Sequence, residues 1–67
     1  MIAPLDIFRV DENHTRVWLF RTDSLLDALE ILPSKGPGTY VVVSERTLRE
    51  RFYAIHEDGR VSFLERT

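Results

Sequence analysis

The chain contains no cysteine, which excludes disulfide bonds and thiolate metal sites. Domains this small commonly rely on a disulfide, a bound metal or a partner chain for stability. With 67 residues, the chain can bury only about 60% of the surface that its unfolded form exposes. A partner chain is therefore the expected supplement, and the lack of cysteine is compatible with a cytoplasmic protein.

Lysine is nearly absent as well, because Lys35 is the single lysine among nine basic residues. Eleven acidic residues bring the net charge to −2, and the two signs are interspersed. This balance gives no general attraction to nucleic acid or to an anionic membrane. No apolar run approaches the roughly 20 residues of a membrane helix, and the N-terminal sequence lacks the regions of a signal peptide. We expect a cytoplasmic protein with no membrane partner.

What the chain does contain is a series of strand-favouring segments. The strongest is 39–44, with a tyrosine and three consecutive valines. It shows no alternation of apolar and polar residues, so we expect it to be covered on both faces in the middle of a sheet. Four further strands are predicted at 5–10, 16–20, 51–57 and 61–64, and residues 65–67 are expected to fray.

One helix is predicted between the second and third strands. Leu25, Ala28, Leu29 and Leu32 follow a helical spacing, and Ser24 is a suitable N-cap. Pro33 predicts that the helix ends at Leu32 or one residue earlier. In the loop that follows, Gly36 is expected to adopt a positive φ.

Asp58-Gly59 is the strongest hairpin signal and predicts a two-residue type I′ turn. That turn sets a register in which Glu57 faces Arg60 as an ion pair and Ala54 faces Phe63.

The sequence thus predicts a single α+β domain over residues 1–67, in the order β-β-α-β-β-β. An antiparallel five-stranded sheet with strand order 2-1-3-4-5 and one helix on one face is preferred. The alternative is strand order 1-2-3-4-5, in which one pair of neighbouring strands is parallel. The sequence leaves open which face meets the helix, because both faces are apolar.

The sheet offers more apolar surface than one helix can cover. Five strands span about 24 Å, whereas a helix with its side chains is about 10–12 Å wide. Either the sheet curls into a partial barrel or a second chain covers it, and we favour a homodimer. An unknown protein partner is the other occupant considered. The candidate anchors of this interface are the aromatic residues Trp18, Phe20, Tyr40 and Tyr53.

No pattern in the sequence indicates an enzyme, a metal site or a cofactor site. His14 with Asp11 or Glu12 in one short loop does not define tetrahedral metal geometry. The serines lack a neighbouring base with a group to orient it. Gly36-Pro37-Gly38 lacks the ending of a phosphate-binding loop. We therefore expect a non-enzymatic protein-interaction or structural module.

The alternative hypothesis is a nucleic-acid-binding domain. Arg46, Arg49 and Arg51 form the densest basic cluster, within the Arg-rich loop 45–51, and sheet aromatics lie beside them. Sheet proteins bind single strands through aromatic stacking flanked by cations. Glu45 and Glu50 interrupt the cluster and the chain is acidic overall, so the composition disfavours this partner.

Overall fold

A computed structural model describes residues 4–64 of the protein. The elements, in chain order, are β1 (Leu5–Val10), β2 (Arg16–Thr22), α1 (Leu25–Ile31), a 3-10 helix (Leu32–Lys35), β3 (Gly38–Ser44), β4 (Glu50–Ile55) and β5 (Val61–Leu64). The fraying expected of residues 65–67 lies outside the described part of the chain.

The five strands form one sheet in the order β2-β1-β3-β4-β5, and every neighbouring pair is antiparallel. The predicted fold class and the preferred strand order are confirmed. β3 is the central strand, and Tyr40, Val41 and Val42 within it are buried. Because neighbours along a strand point to opposite faces, this burial confirms that β3 is covered on both sides.

Local signals set the ends of α1. The Ser24 side chain accepts a hydrogen bond from the Asp27 backbone N–H at 3.4 Å, which caps the first turn. The α-helix ends at Ile31, and Pro33 lies in the 3-10 helix that follows. Gly36 has a φ of 96° and turns the chain toward β3. The predicted cap, helix end and glycine conformation are confirmed.

The helix and one face of the sheet enclose the core, and we call this the helix face and the opposite side the open face. The fully enclosed core residues on the helix face are Ile7, Ala28, Leu32, Tyr40, Val42, Tyr53 and Ile55. Leu5, Leu19, Phe20, Leu25 and Leu29 pack against them.

A β-bulge in β2 changes which side chains share a face. Ile7 pairs with Phe20, but the next residue, Phe8, pairs with Trp18, so Leu19 is an extra residue in the strand. Strict alternation along β2 would place Trp18 and Phe20 on the same face, and the bulge separates them. The bulge sends Phe20 toward the core beside Leu19 and leaves Trp18 on the open face.

The hairpin between β4 and β5 also differs from the prediction by one residue. His56 N–H donates to the Arg60 carbonyl at 2.8 Å, so three residues rather than two form the loop. Within this three-residue loop only Gly59 has a positive φ, 89°, which fits a type I turn followed by a bulge. The predicted I′ register was therefore wrong.

Compared with the predicted register, the observed register places every side chain of β5 on the opposite face of the sheet. Phe63 pairs with Tyr53 instead of Ala54, and the two rings lie 5.5 Å apart on the helix face. The predicted pair of Glu57 and Arg60 does not form. Arg60 instead donates from Nε to the Asp58 carboxylate at 2.8 Å.

Candidate binding surface on the open face of the sheet

A continuous line of apolar side chains crosses the open face from one edge strand to the other. Phe8 pairs with Trp18 and with Val41, Val41 pairs with Phe52, and Phe52 pairs with Leu64. Residues paired in this way point to the same side of a sheet. The apolar row is therefore, in strand order, Trp18, Phe8, Val41, Phe52 and Leu64.

Exposure along the apolar row rises from its centre to its ends. Val41 is fully buried, although neither helix of residues 4–64 lies over this side of the sheet. Trp18 on β2 is 55% exposed, and Leu64 on β5 is 39% exposed. The two ends of the row consequently offer apolar surface to the surroundings, while its centre is covered by the protein itself.

Arg16 supplies part of that cover. It starts on the edge strand β2 and forms an ion pair with Glu50 on β4. Its guanidinium carbon lies 5.7 Å from the centre of the Phe52 ring, a cation–π arrangement. A side chain that runs from β2 toward Glu50 on β4 crosses the open face in the region of β1 and β3.

The ion pair also reveals the shape of the sheet. Arg16 pairs with Val10 at one end of the strands, whereas Glu50 pairs with Val43 at the other. Three strand spacings separate β2 from β4, about 14 Å in a flat sheet, before any offset along the strands. Twist makes a sheet saddle-shaped, so that opposite corners approach on one face. The open face is therefore concave along this diagonal.

Trp18 is held by a network of hydrogen bonds on the open face. Its indole N–H donates to Asp6 at 3.3 Å, and Arg21 Nε donates to the same carboxylate oxygen at 2.8 Å. Arg21 also forms an ion pair with Glu45 at 3.3 Å. The hydrogen bond from Arg21, followed by that from Trp18, lowers the pKa of Asp6 below its usual value. The network fixes the orientation of the indole at the edge of the sheet.

The structure separates the four predicted anchor residues. Trp18 lies on the open face, but Tyr40 and Tyr53 are buried in the core on the other side of the sheet. Phe20 is half-buried against the core, with the Lys35 ammonium 5.7 Å from its ring centre. Of these four residues, Trp18 alone presents a large exposed surface to a partner.

The three arginines of the nucleic-acid hypothesis are all exposed. Arg46 and Arg49 lie in the connection between β3 and β4, and Arg51 lies in β4 opposite Val42. Val42 points toward the helix, so Arg51 projects from the helix face and not from the side that carries the apolar row. Arg51 and the open-face aromatics therefore belong to different surfaces.

The residues considered for catalysis or metal binding are not brought together. No group of three metal-ligating side chains occurs within residues 4–64. His14 is in the first hairpin loop with a φ of 63°. His56 Nε2 lies 2.7 Å from Ser62 Oγ, but no carboxylate in the described part of the chain is hydrogen-bonded to the other ring nitrogen. This pair lacks the third group that orients a catalytic histidine.

Sequence reasoning missed most of the apolar row and the arginine that covers it. Phe8, Phe52 and Leu64 lie in three of the predicted strands, but the sequence alone does not join them into one surface. Cross-strand pairing could have identified the row once the strand order was known. The antiparallel register decides which residue of each strand lies directly beside the previous member of the row. The path of Arg16 had no signal in the sequence, since its partner Glu50 is 34 residues away.

The chain matches no protein-family model, and comparisons with curated proteins and with solved structures gave no significant match. Neither helix between residues 4 and 64 has the length and apolar character needed to cross a bilayer.

Proposed function

We propose that this protein is a non-enzymatic binding module that forms a homodimer through the open face of its sheet. The observation that carries the proposal is the apolar row, which crosses all five strands on the face opposite α1. Trp18 and Leu64, at its ends, retain large exposed surfaces. Exposed large apolar side chains that belong to one row on a sheet face are typical of interaction sites.

The order of residues in the row favours a second copy as the partner. The large side chains are arranged almost symmetrically about Val41, with one phenylalanine on each side. A two-fold axis above Val41 and parallel to the strands would set Phe8 against Phe52 of the second copy. The same axis would set Trp18 against Leu64. Such self-complementarity is what a two-fold interface requires.

The size of the surface sets the expected strength of association. One face of about 24 by 17 Å has an area of about 400 Å². Two such faces give about 800 Å² in total, below the roughly 1,200 Å² at which standard stable interfaces begin. We therefore propose a weak, reversible dimer that forms at high protein concentration.

Of the four anchors predicted from the sequence, the proposal retains Trp18. Phe20, Tyr40 and Tyr53 stabilise the core of each copy instead. Phe8 and Leu64 become anchors, and Arg16 covers part of the row beside Phe52. Aromatic residues are enriched at the centres of such sites. As part of the same proposal the protein is cytoplasmic, since its cysteine-free sequence depends on no oxidising compartment.

Sedimentation velocity over about 10 μM to about 1 mM protein tests the dimer, a range that covers weak associations. The wild-type sedimentation coefficient should rise with concentration. Trp18→Ala should shift this rise to higher concentration or abolish it. Phe63→Ala is the matched control, because Phe63 is 59% exposed but lies on the helix face. A 7.8 kDa species at every concentration would contradict the proposal.

Nucleic-acid binding is a second candidate, favoured by one observation. Arg46, Arg49 and Arg51 form no ion pair with a carboxylate of residues 4–64, so no acidic side chain of that range neutralises them. Fluorescence anisotropy with a labelled single-stranded oligonucleotide tests this candidate. Binding at low salt should weaken steeply as salt is added, and no anisotropy change at low salt would exclude it.

A further inference from the structure

A small cavity lies on the helix face, beside the first turn of α1, and is separate from the proposed dimer surface. Its volume is about 170 Å³. The residues that line it are Leu5, Leu25, Val42, Ser44, Arg49 and Arg51. Three of these are aliphatic and two are arginines, so the cavity combines apolar walls with a strongly basic rim.

The strand register explains why the two arginines share this rim. Arg51 pairs with Val42, and the Ser44 N–H donates to the Arg49 carbonyl at 3.0 Å. Arg49 therefore lies opposite Ser44 and extends the pairing of β3 with β4 by one residue pair. Residues two apart in an extended chain point to the same side, with about 6.5–7 Å between their Cα atoms. Both side chains therefore project toward the helix face next to each other.

Both guanidinium groups lack a partner within residues 4–64. Neither Arg49 nor Arg51 forms a side-chain hydrogen bond or an ion pair there, whereas Arg16, Arg21 and Arg60 each bind a carboxylate. Two neighbouring cations repel each other, and an anion placed between them would be stabilised by both. The rim therefore has the charge of an anion site that no described side chain fills.

We propose that this cavity binds a small organic acid. The carboxylate lies between Arg49 and Arg51, since guanidinium groups bind carboxylates through paired, charge-assisted hydrogen bonds. The apolar part of the ligand packs against Leu5, Leu25 and Val42. The volume equals that of about six liquid waters at about 30 Å³ each, which limits the ligand to the size of hexanoate or benzoate.

Titration of the 15N-labelled protein with hexanoate, followed by two-dimensional NMR, tests the proposal. Saturable shifts should occur at the backbone amides of Leu25, Ser44 and Arg51. We expect a dissociation constant on the order of 1 mM for so small a ligand. Hexanamide has the same shape without the charge, and inorganic phosphate has charge without an apolar part, so both should bind much more weakly.

Arg49→Gln and Arg51→Gln should each weaken hexanoate binding about tenfold, as expected for the loss of a charged hydrogen-bond donor. Arg46→Gln is the matched control, since Arg46 is exposed in the same connection but does not line the cavity. If either glutamine variant unfolds, Arg51→Lys keeps the charge but not the paired donors and should weaken binding less.

Three results would overturn the proposal. The first is the absence of saturable shifts with hexanoate. The second is binding of hexanamide or phosphate as tight as that of hexanoate, because the ligand class would then be wrong. The third is equal weakening by Arg46→Gln and Arg51→Gln, because the effect would then reflect net charge and not the cavity. None of these results depends on whether the protein dimerises.

Discussion

Arg16 and Glu50 form an ion pair that joins β2 to β4 across the open face of the sheet. The contact links opposite corners of the sheet, and the Arg16 guanidinium also lies over the ring of Phe52. Arginine can cover apolar surface with its aliphatic stem while its charged group remains paired. The Arg16 side chain therefore covers part of the face opposite α1, over Phe52.

We expect Arg16→Ala to uncover the apolar row and strengthen self-association. If the change exposes about 50 Å² more apolar surface, a dimer that buries it gains about 1 kcal/mol at about 25 cal/mol per Å². This free energy corresponds to roughly a fivefold tighter dimer. Sedimentation velocity and binding of a hydrophobic dye measure the effect.

Arg60→Ala is the control for this variant. Arg60 also pairs with a carboxylate, but in the β4–β5 hairpin loop and away from the row. Arg60→Ala should leave both the sedimentation behaviour and the dye binding unchanged. Unaltered dye binding by Arg16→Ala would mean that the arginine does not cover the row.

Acid should release the Trp18 indole from its hydrogen bond to Asp6. The pKa of folded Asp6 is lowered below 3.8, first by the hydrogen bond from Arg21. A lowered folded pKa means that Asp6 contributes stability above pH 3.8, and this contribution is lost as the pH falls through the folded pKa. The fluorescence of Trp18, the only tryptophan, should change over that same acidic range.

Asp6→Asn should remove both the fluorescence change and this acid-sensitive part of the stability. Asp23→Asn is the control, because Asp23 forms no ion pair within residues 4–64. Its fluorescence titration should match that of the wild type. A transition in Asp6→Asn identical to the wild-type transition would assign the signal to another group.

Local signals in the sequence predicted the elements and their order, but not which side chains share a face. Caps, prolines and turn residues act over a few positions, so the ends of α1 could be predicted. Each of the two register errors comes from one extra residue. In β2 the extra residue is Leu19, and the β4–β5 loop that contains Gly59 has three residues where two were predicted. An inserted residue reverses the alternation that follows it. The apolar pattern could not reveal this, because both faces of the sheet are apolar.

The same reasoning explains why the candidate surface was only partly predicted. Trp18 was identified from its residue type, and the structure places it on the open face. Phe20 was predicted as an anchor of the same interface, but the bulge turns it toward the core. The contact of Arg16 with Glu50 depends on the twist of four strands together, which no local segment of the sequence encodes.

The hairpin loop allows a direct test of its revised register. Gly59 has a φ of 89°, and a methyl group there would meet no atom within 4 Å. The cost of Gly59→Ala should therefore come from the backbone alone, about 1–2 kcal/mol of unfolding free energy. Gly59→Asn should cost less, because asparagine tolerates this conformation. Urea unfolding measures both variants, and equal stability of Gly59→Ala and wild type would contradict the loop conformation.

The two buried tyrosines, Tyr40 and Tyr53, are a matched pair of sites. Comparing them measures how much one hydrogen bond contributes to holding the loop before β3 against the sheet. Tyr40 donates from its hydroxyl to the Gly36 carbonyl at 2.7 Å. Tyr53 is similarly buried, but its hydroxyl has no hydrogen-bond partner within residues 4–64. Tyr40→Phe should therefore lower the free energy of unfolding by about 0.5–1.5 kcal/mol, whereas Tyr53→Phe should have little effect.

Chemical denaturation of both variants, together with hydrogen exchange, distinguishes a local from a general effect. In Tyr40→Phe the amide of Gly36 and the first amides of β3 should exchange faster, because the loop loses one of its attachments to the sheet. Arg9 would still hold this loop through its hydrogen bond to the Pro37 carbonyl at 3.3 Å. Equal destabilisation by the two phenylalanine variants would show that the Tyr40 hydroxyl contributes nothing specific, since the two changes remove the same atom from similarly buried rings.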